Sequence, residues 1–222
     1  MEATLIDYMG DDLRVVNAAR VSFAKESFWD DSVPARLTGL PQLHEKDVKL
    51  LNYLAKHNHW TPFSHVQITM REKVPIFVAR QRFKHMVGFT YNEISRRYVD
   101  DEPELYWPDK WRKKAENKKQ GSSDEEYISL DLVWAQNHMK GLLTIYNKIV
   151  ADGCAPEQAR MILPQSMYTE YIVTGSLAAW ARAYKLRIDA HSQKEIQELA
   201  AQWGAIIGGI PELKHSWKTL ID

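Results

Sequence analysis

The sequence is short of the residues that usually announce a covalent staple or a nucleotide loop. It has one cysteine, Cys154, which excludes an intrachain disulfide and a four-cysteine zinc site. No two of its ten glycines stand two positions apart, so the Gly-x-Gly of a dinucleotide fingerprint is absent, and no phosphate-binding loop is present. Any nucleotide has to be held by side chains. No apolar run reaches about 18 residues and no basic-then-apolar leader opens the chain, so a soluble, cytoplasmic protein is the expectation. Neither sign of charge dominates, with 29 Lys and Arg against 29 Asp and Glu. Neutrality argues against a general nucleic-acid binder, yet it leaves room for a local cationic site. Internal repeats and low-complexity blocks are also missing.

What is present fits a globular domain. The 222 residues are 45% hydrophobic and 26% charged, enough to bury a core without staples. Residues 3–8 read as a strand, followed by a helix from Asp11-Asp12 through Arg20. Pro34, Gly39 and Pro41 mark a loop. Residues 45–56 place Val48, Leu51, Leu54 and Ala55 at helical spacing, and Val66 to Met70 alternates as a half-buried strand. Pro75 suits the first turn of a helix, whose apolar stripe would be Ile76, Ala79, Phe83 and Val87. The stretch from Trp107 to Gly121 reads as a polar excursion or lid. Ser123 and Glu126 are placed as a capping box for a long helix ending at Asp152-Gly153. A short helix between Pro156 and Pro164, helices over 176–190 and 193–207, and a last one after Pro211 complete a single α+β domain.

The densest chemical signal lies in residues 80–97, where Arg80, Arg82, Lys84, Arg96 and Arg97 face one acid, Glu93. On a continuous helix Gln81, Lys84 and His85 would share a face, an arrangement suited to a uracil-like edge and a phosphate. Asn92 to Ser95 can add backbone N–H groups and a hydroxyl. The same residues also fit a solvated amphipathic helix. A second cluster, His57, His59 and His65, invites a metal reading, but it lacks i,i+4 spacing and an internal carboxylate, and no metal site is expected. Arg187, between Leu186 and Ile188, is expected to be partly buried and to need a partner; Asp189 is one candidate, in a plain salt bridge.

At these residues the chain resembles the flavin-dependent thymidylate synthases. Six blocks carry the resemblance in order: Asn17 to Phe23, His59 to His65, Pro75 to Gln81, Asn92 to Tyr98, Arg160 to Pro164, and Leu186 to Gln193. The family signature, Arg-His-Arg, seven residues, then Ser, appears here as Lys84-His85-Met86, eight residues, then Ser95. Arg82 is the candidate to replace the guanidinium absent at Met86. Ser64, Ser176 and Ala178 also depart from residues common in the family.

The resemblance implies helices packed around a largely antiparallel sheet and a homotetramer with sites shared between subunits. It also implies reductive methylation of dUMP to dTMP, with methylenetetrahydrofolate as carbon donor, FAD as hydride carrier and NADPH as reductant, and no cysteine nucleophile. Gln81, Lys84, Glu93, Ile94, Ser95, Arg96, Arg97, Arg160 and Arg187 match dUMP-contacting positions. His59, Thr61, Lys84, His85, Met86, Val87, Ser176, Arg182 and His191 match flavin-contacting positions. By position Arg187 is the cation that activates the pyrimidine; Ser95 reads as a phosphate ligand rather than a nucleophile. Neither a nucleic acid nor a membrane is an expected partner. The alternatives are a nucleic-acid-binding module using residues 80–97 and 110–119 with Trp107 and Trp111, and a metal hydrolase built on His57, His59 and His65.

Overall fold

Alternation of apolar and polar residues drives the sheet that carries the site. In the computed structural model of the chain, which describes residues 1–30, 32, 41–99, 101–116 and 121–222, four strands form it: β1 (Glu2–Met9), β2 (Gln67–Pro75), β3 (Phe89–Glu93) and β6 (Tyr168–Ser176). Their order is β1-β2-β6-β3, and every neighbouring pair is antiparallel. Ile68, Met70, Glu72 and Val74 point into the core from β2, opposite Tyr171 and Val173 of β6. The alternate residues, such as Thr69 and Arg71, look the other way, as period-two geometry requires. A separate hairpin joins β4 (Arg112–Lys114) to β5 (Ser122–Glu126).

Helices cover the inner face. They are α1 (Asp12–Arg20), α2 (Glu45–Lys56), α3 (Ile76–Arg82), α4 (Leu130–Ala151), the short α5 (Pro156–Ala159), α6 (Leu177–Ile188), α7 (Lys194–Gly208) and α8 (Lys214–Ile221). Asp11 caps α1 and Ser176 caps α6, each side chain accepting a backbone N–H three residues on, the usual remedy for orphan donors at a helix start. Val15, Leu51, Phe63, Trp180, Leu199 and Trp203, all fully buried, join the sheet in one core. The exception is α4. It is 22 residues long, yet only Tyr146 is buried, while Leu130, Val133, Trp134 and Ile145 are exposed.

Two expectations are corrected, and two stretches gain an assignment. The helix after Pro75 stops at Arg82 instead of running to Val87, because Gly88 takes a left-handed conformation with φ +80° and Phe89 enters the sheet opposite Gly175. A Cβ on Gly175 would lie 2.3 Å from the Phe89 ring, so glycine is what allows that ring to cross the strand. The proposed Ser123 and Glu126 capping box belongs to β5, and Ser129 caps α4 instead. Strands β3 and β6 replace residues expected as helix or left unassigned. Part of the 107–121 excursion is the β4–β5 hairpin, while the loop residues Pro34 and Gly39, together with Lys118 and Lys119, lie outside the described residues.

Candidate active site

The end of α3 brings the site together. Because the helix stops, residues 83–85 form a turn in which the Lys84 and His85 amides bond back to Gln81 and Arg82. Gln81, Lys84 and His85 therefore do not share a helix face. The turn instead aims His85 at α6, where Arg187 Nε donates to His85 Nε2 at 2.8 Å and Arg187 Nη2 donates to the Gln81 carbonyl at 3.2 Å. A guanidinium can only donate, so His85 Nε2 must be the unprotonated nitrogen and the ring proton sits on Nδ1. Burial, then the charges of Arg187, Arg82 and Arg182, hold the imidazole at a pKa of about 4. Arg187 is half-buried; burial, and secondarily Arg82, weaken its hold on its proton without bringing it near neutral pH.

Arg187 does not pair with Asp189, the partner considered from the sequence. Asp189 accepts instead from the His191 amide and pairs with its ring. Arg187, Gln81, His191 and Gln193 line a cavity of about 500 Å³, and the hairpin contributes Arg112 and Ser122 to it. A polar chain runs along its wall: Gln81 donates to Gln193 at 2.6 Å, Gln193 to Glu195 at 2.9 Å, and Arg112 to Glu195 at 2.7 Å. Sequence reasoning missed Arg112 and Ser122 as lining residues. Their only signal was the excursion that places them there.

A second cavity, of about 570 Å³, gathers Glu93, Ile94, Ser95, Arg96, Arg97 and Arg160. Arg97 donates to Ser95 Oγ from both its amide and Nε at 3.3 Å. Among the described residues the hydroxyl has a cation beside it and no base bonded to it, which suits an anion ligand and not a nucleophile. Thr169 donates to Glu93, and Arg96 is anchored to Asp101. The two cavities share no lining residue.

The flavin-matching positions divide as well. Arg182 lines a third cavity of about 960 Å³ with Asn52, Lys56, Asn58, Trp60 and Lys185, beside the exposed His59 and Thr61. Met86 and Val87 are exposed, and Arg182 holds the Val87 carbonyl. Ser176 is buried with its hydroxyl engaged as the α6 cap, while His191 faces the Arg187 cavity. Lys84 is exposed. Arg82 does not replace the guanidinium absent at Met86: it is fully buried and bonded to Glu72. Amides and cations, the donors an anionic ligand needs, line this third cavity beside an exposed Trp60, together with the apolar Leu186 and Leu220 and the C-terminal Asp222.

The alternatives fare worse. Lys110, Lys113 and Arg112 pair with Glu126, Glu125 and Glu195, which offsets most of the positive charge of the described basic stretch. His57 and His59 lie with rings 6.5 Å apart beside Tyr53. Among the described residues no three His, Cys, Asp or Glu gather to hold a metal, and no helix is long and apolar enough to cross a membrane.

The profile of the family described as thymidylate synthase complementing protein matches residues 4–210. The chain belongs to this family. Among its relatives, the flavin-dependent thymidylate synthase of Thermosipho africanus is 38% identical over 201 residues, covering 88% of this chain and 81% of the relative. One from Thermus thermophilus is 37% identical over 207 residues, covering 91% and 70%. In three dimensions the chain is similar to PolB of Streptomyces cacaoi, a UMP/dUMP methylase solved with 5-Br dUMP. The TM-score is 0.77 at 26% identity, covering 98% of this chain and 93% of that one. Cys154 follows α4 and lines none of the three cavities.

Proposed function

We propose that the chain methylates C5 of dUMP to form dTMP, with methylenetetrahydrofolate as carbon donor and NADPH as reductant. FAD, when bound, supplies the hydride that completes the methyl group; Arg182, Lys185, Lys56 and the chain from His85 to Val87 are the residues that would hold it. The observation that carries the reading is Arg187, a partly buried cation fixed by a neutral histidine at the wall of a cavity. Set against the N3/O4 edge of the pyrimidine, it stabilises negative charge as the ring is activated for attack from C5. Gln81 orients the same edge, Ser95, Arg96, Arg97 and Arg160 hold the phosphate, and Glu93 accepts from the sugar side. No thiolate takes part in this reading: Cys154 lines none of the three cavities.

Because the Arg187 and Ser95 cavities are separate within one chain, the working site is completed by further copies, in a homotetramer. The uncovered apolar face of α4 supports this, since a 22-residue helix with one buried residue needs a partner surface. Trp134→Asp is expected to reduce the sedimenting mass and to lower thymidylate formation by about tenfold or more while leaving the helical signal intact. Unchanged mass would remove α4 from the contact.

The direct test is the visible spectrum of FAD-loaded protein after gel filtration, with and without dUMP. A retained flavin whose bands shift on adding dUMP places both ligands in one site. Folded protein that stays colourless and blind to dUMP would overturn the reading.

A further inference from the structure

Arg187 is held by two groups, the His85 ring and the Gln81 carbonyl, and both belong to the end of α3 and its turn. Tyr91, from β3, ties the turn to the sheet. Its hydroxyl donates to the His85 carbonyl at 2.7 Å and accepts from Arg82 Nη1 at 2.6 Å. Arg82 is anchored in turn to Glu72 at 3.1 Å, and Tyr171 closes the far side by donating to Glu72. The phenol is thus the joint between a rigid buried ion pair and the backbone that carries His85. Its ring is fixed by Phe83 at 5.1 Å and Tyr171 at 6.0 Å.

We propose that Tyr91 is a positioning residue for Arg187, acting through the His85 turn. This rests on the role given to Arg187 above. Only with the turn in place does the imidazole present Nε2 as an acceptor, leaving the rest of the guanidinium directed at the cavity. The charged groups facing His85 are Arg82 on α3 and Arg187 and Arg182 on α6, all cationic, so a ring that swings out and takes a proton repels the residue it should anchor.

Tyr91→Phe keeps the ring and removes the joint. Thymidylate turnover by the flavin-loaded assembly is expected to fall about tenfold, with the dUMP KM changed less than threefold. An acid limb in kcat should appear below about pH 6.5 as His85 regains the usual imidazole basicity. A double-mutant cycle separates positioning from general damage. In an Arg187→Lys background, Tyr91→Phe should cost little further, whereas a full, additive loss overturns the proposal. If Arg187→Lys turns over normally, the role of Arg187 itself fails, a distinguishable result. Should Tyr91→Phe not fold, nitrogen NMR of histidine-labelled native enzyme decides: His85 neutral at pH 5.5 with Nε2 unprotonated supports the proposal, and an Nε2–H or protonated ring overturns it.

Discussion

Replacing Arg187 by alanine is expected to lower thymidylate formation by about 10²–10³-fold at saturating dUMP, the loss typical of removing one preorganised electrostatic donor. The fold should survive. Arg187 lies in the last turn of α6, half-exposed, and its partners are a neutral imidazole and one backbone carbonyl, so no buried charge is stranded by its removal. Lysine is expected to rescue poorly, because an ammonium cannot bond His85 and Gln81 through a planar fork while still facing the cavity. The same substitution carries a pH signature. In the native chain His85 titrates near 4 against an ordinary 6.5, so between those values the unfolded state binds the extra proton and stability falls as pH falls. Without the Arg187 charge the folded value rises, and that acid-side loss of stability shrinks. Initial rates, dUMP affinity and denaturation midpoints at pH 5 and 7 check all three points. Undiminished turnover in Arg187→Ala would remove the residue from the chemistry.

Local pattern made much of this chain readable. Strand β1, helices α1, α2, α6 and α7 and the breaks at Gly153 and Pro156 follow from period, cap and punctuation, and they fall where expected. Tertiary competition accounts for the failures. Ile76, Ala79, Phe83 and Val87 continue a helical stripe, but Gly88 and the pairing of Phe89 with β6 end it early, and long-range pairing outweighs propensity. Strand β6 was legible in principle: Tyr168 to Thr174 alternates and is rich in aromatic and β-branched residues. In the site, the partial burial of Arg187 was foreseeable from its apolar neighbours. Its partner was not, since His85 lies 102 positions away while Asp189 lies two positions away and is already committed to His191. Nor could one sequence reveal that the matched substrate positions divide between two cavities, with Lys84 in neither, because that depends on which strand each loop leaves.

The buried pair beneath the site yields the largest stability effect. Glu72 occupies a core position of β2, where alternation alone would place an aliphatic residue, and both it and Arg82 have fully buried side chains. The Arg82 guanidinium carbon lies 4.5 Å from the Phe89 ring, 4.8 Å from Trp180 and 4.6 Å from Trp203. Aromatic faces attract the cation, but they cannot replace its counter-ion, and Nη2 already has no hydrogen-bond partner among the described residues. Glu72→Ala would leave that charge uncompensated and also deprive Tyr171 of its acceptor. A loss of about 3–5 kcal/mol is expected, or about 6–20 °C in Tm for a chain of this size. The counterpart is Glu72→Met with Arg82→Met, which removes both charges and the desolvation they impose. It should be markedly more stable than Glu72→Ala, because a buried pair costs far more to break than to replace. Its activity should nevertheless stay low: without Arg82 the Tyr91 hydroxyl loses one of its two partners and holds the His85 carbonyl less firmly. Thermal melts of the three proteins beside their turnover would separate what the pair contributes to folding from what it contributes to holding Arg187. A double mutant that is both stable and fully active would show that the buried charges serve neither.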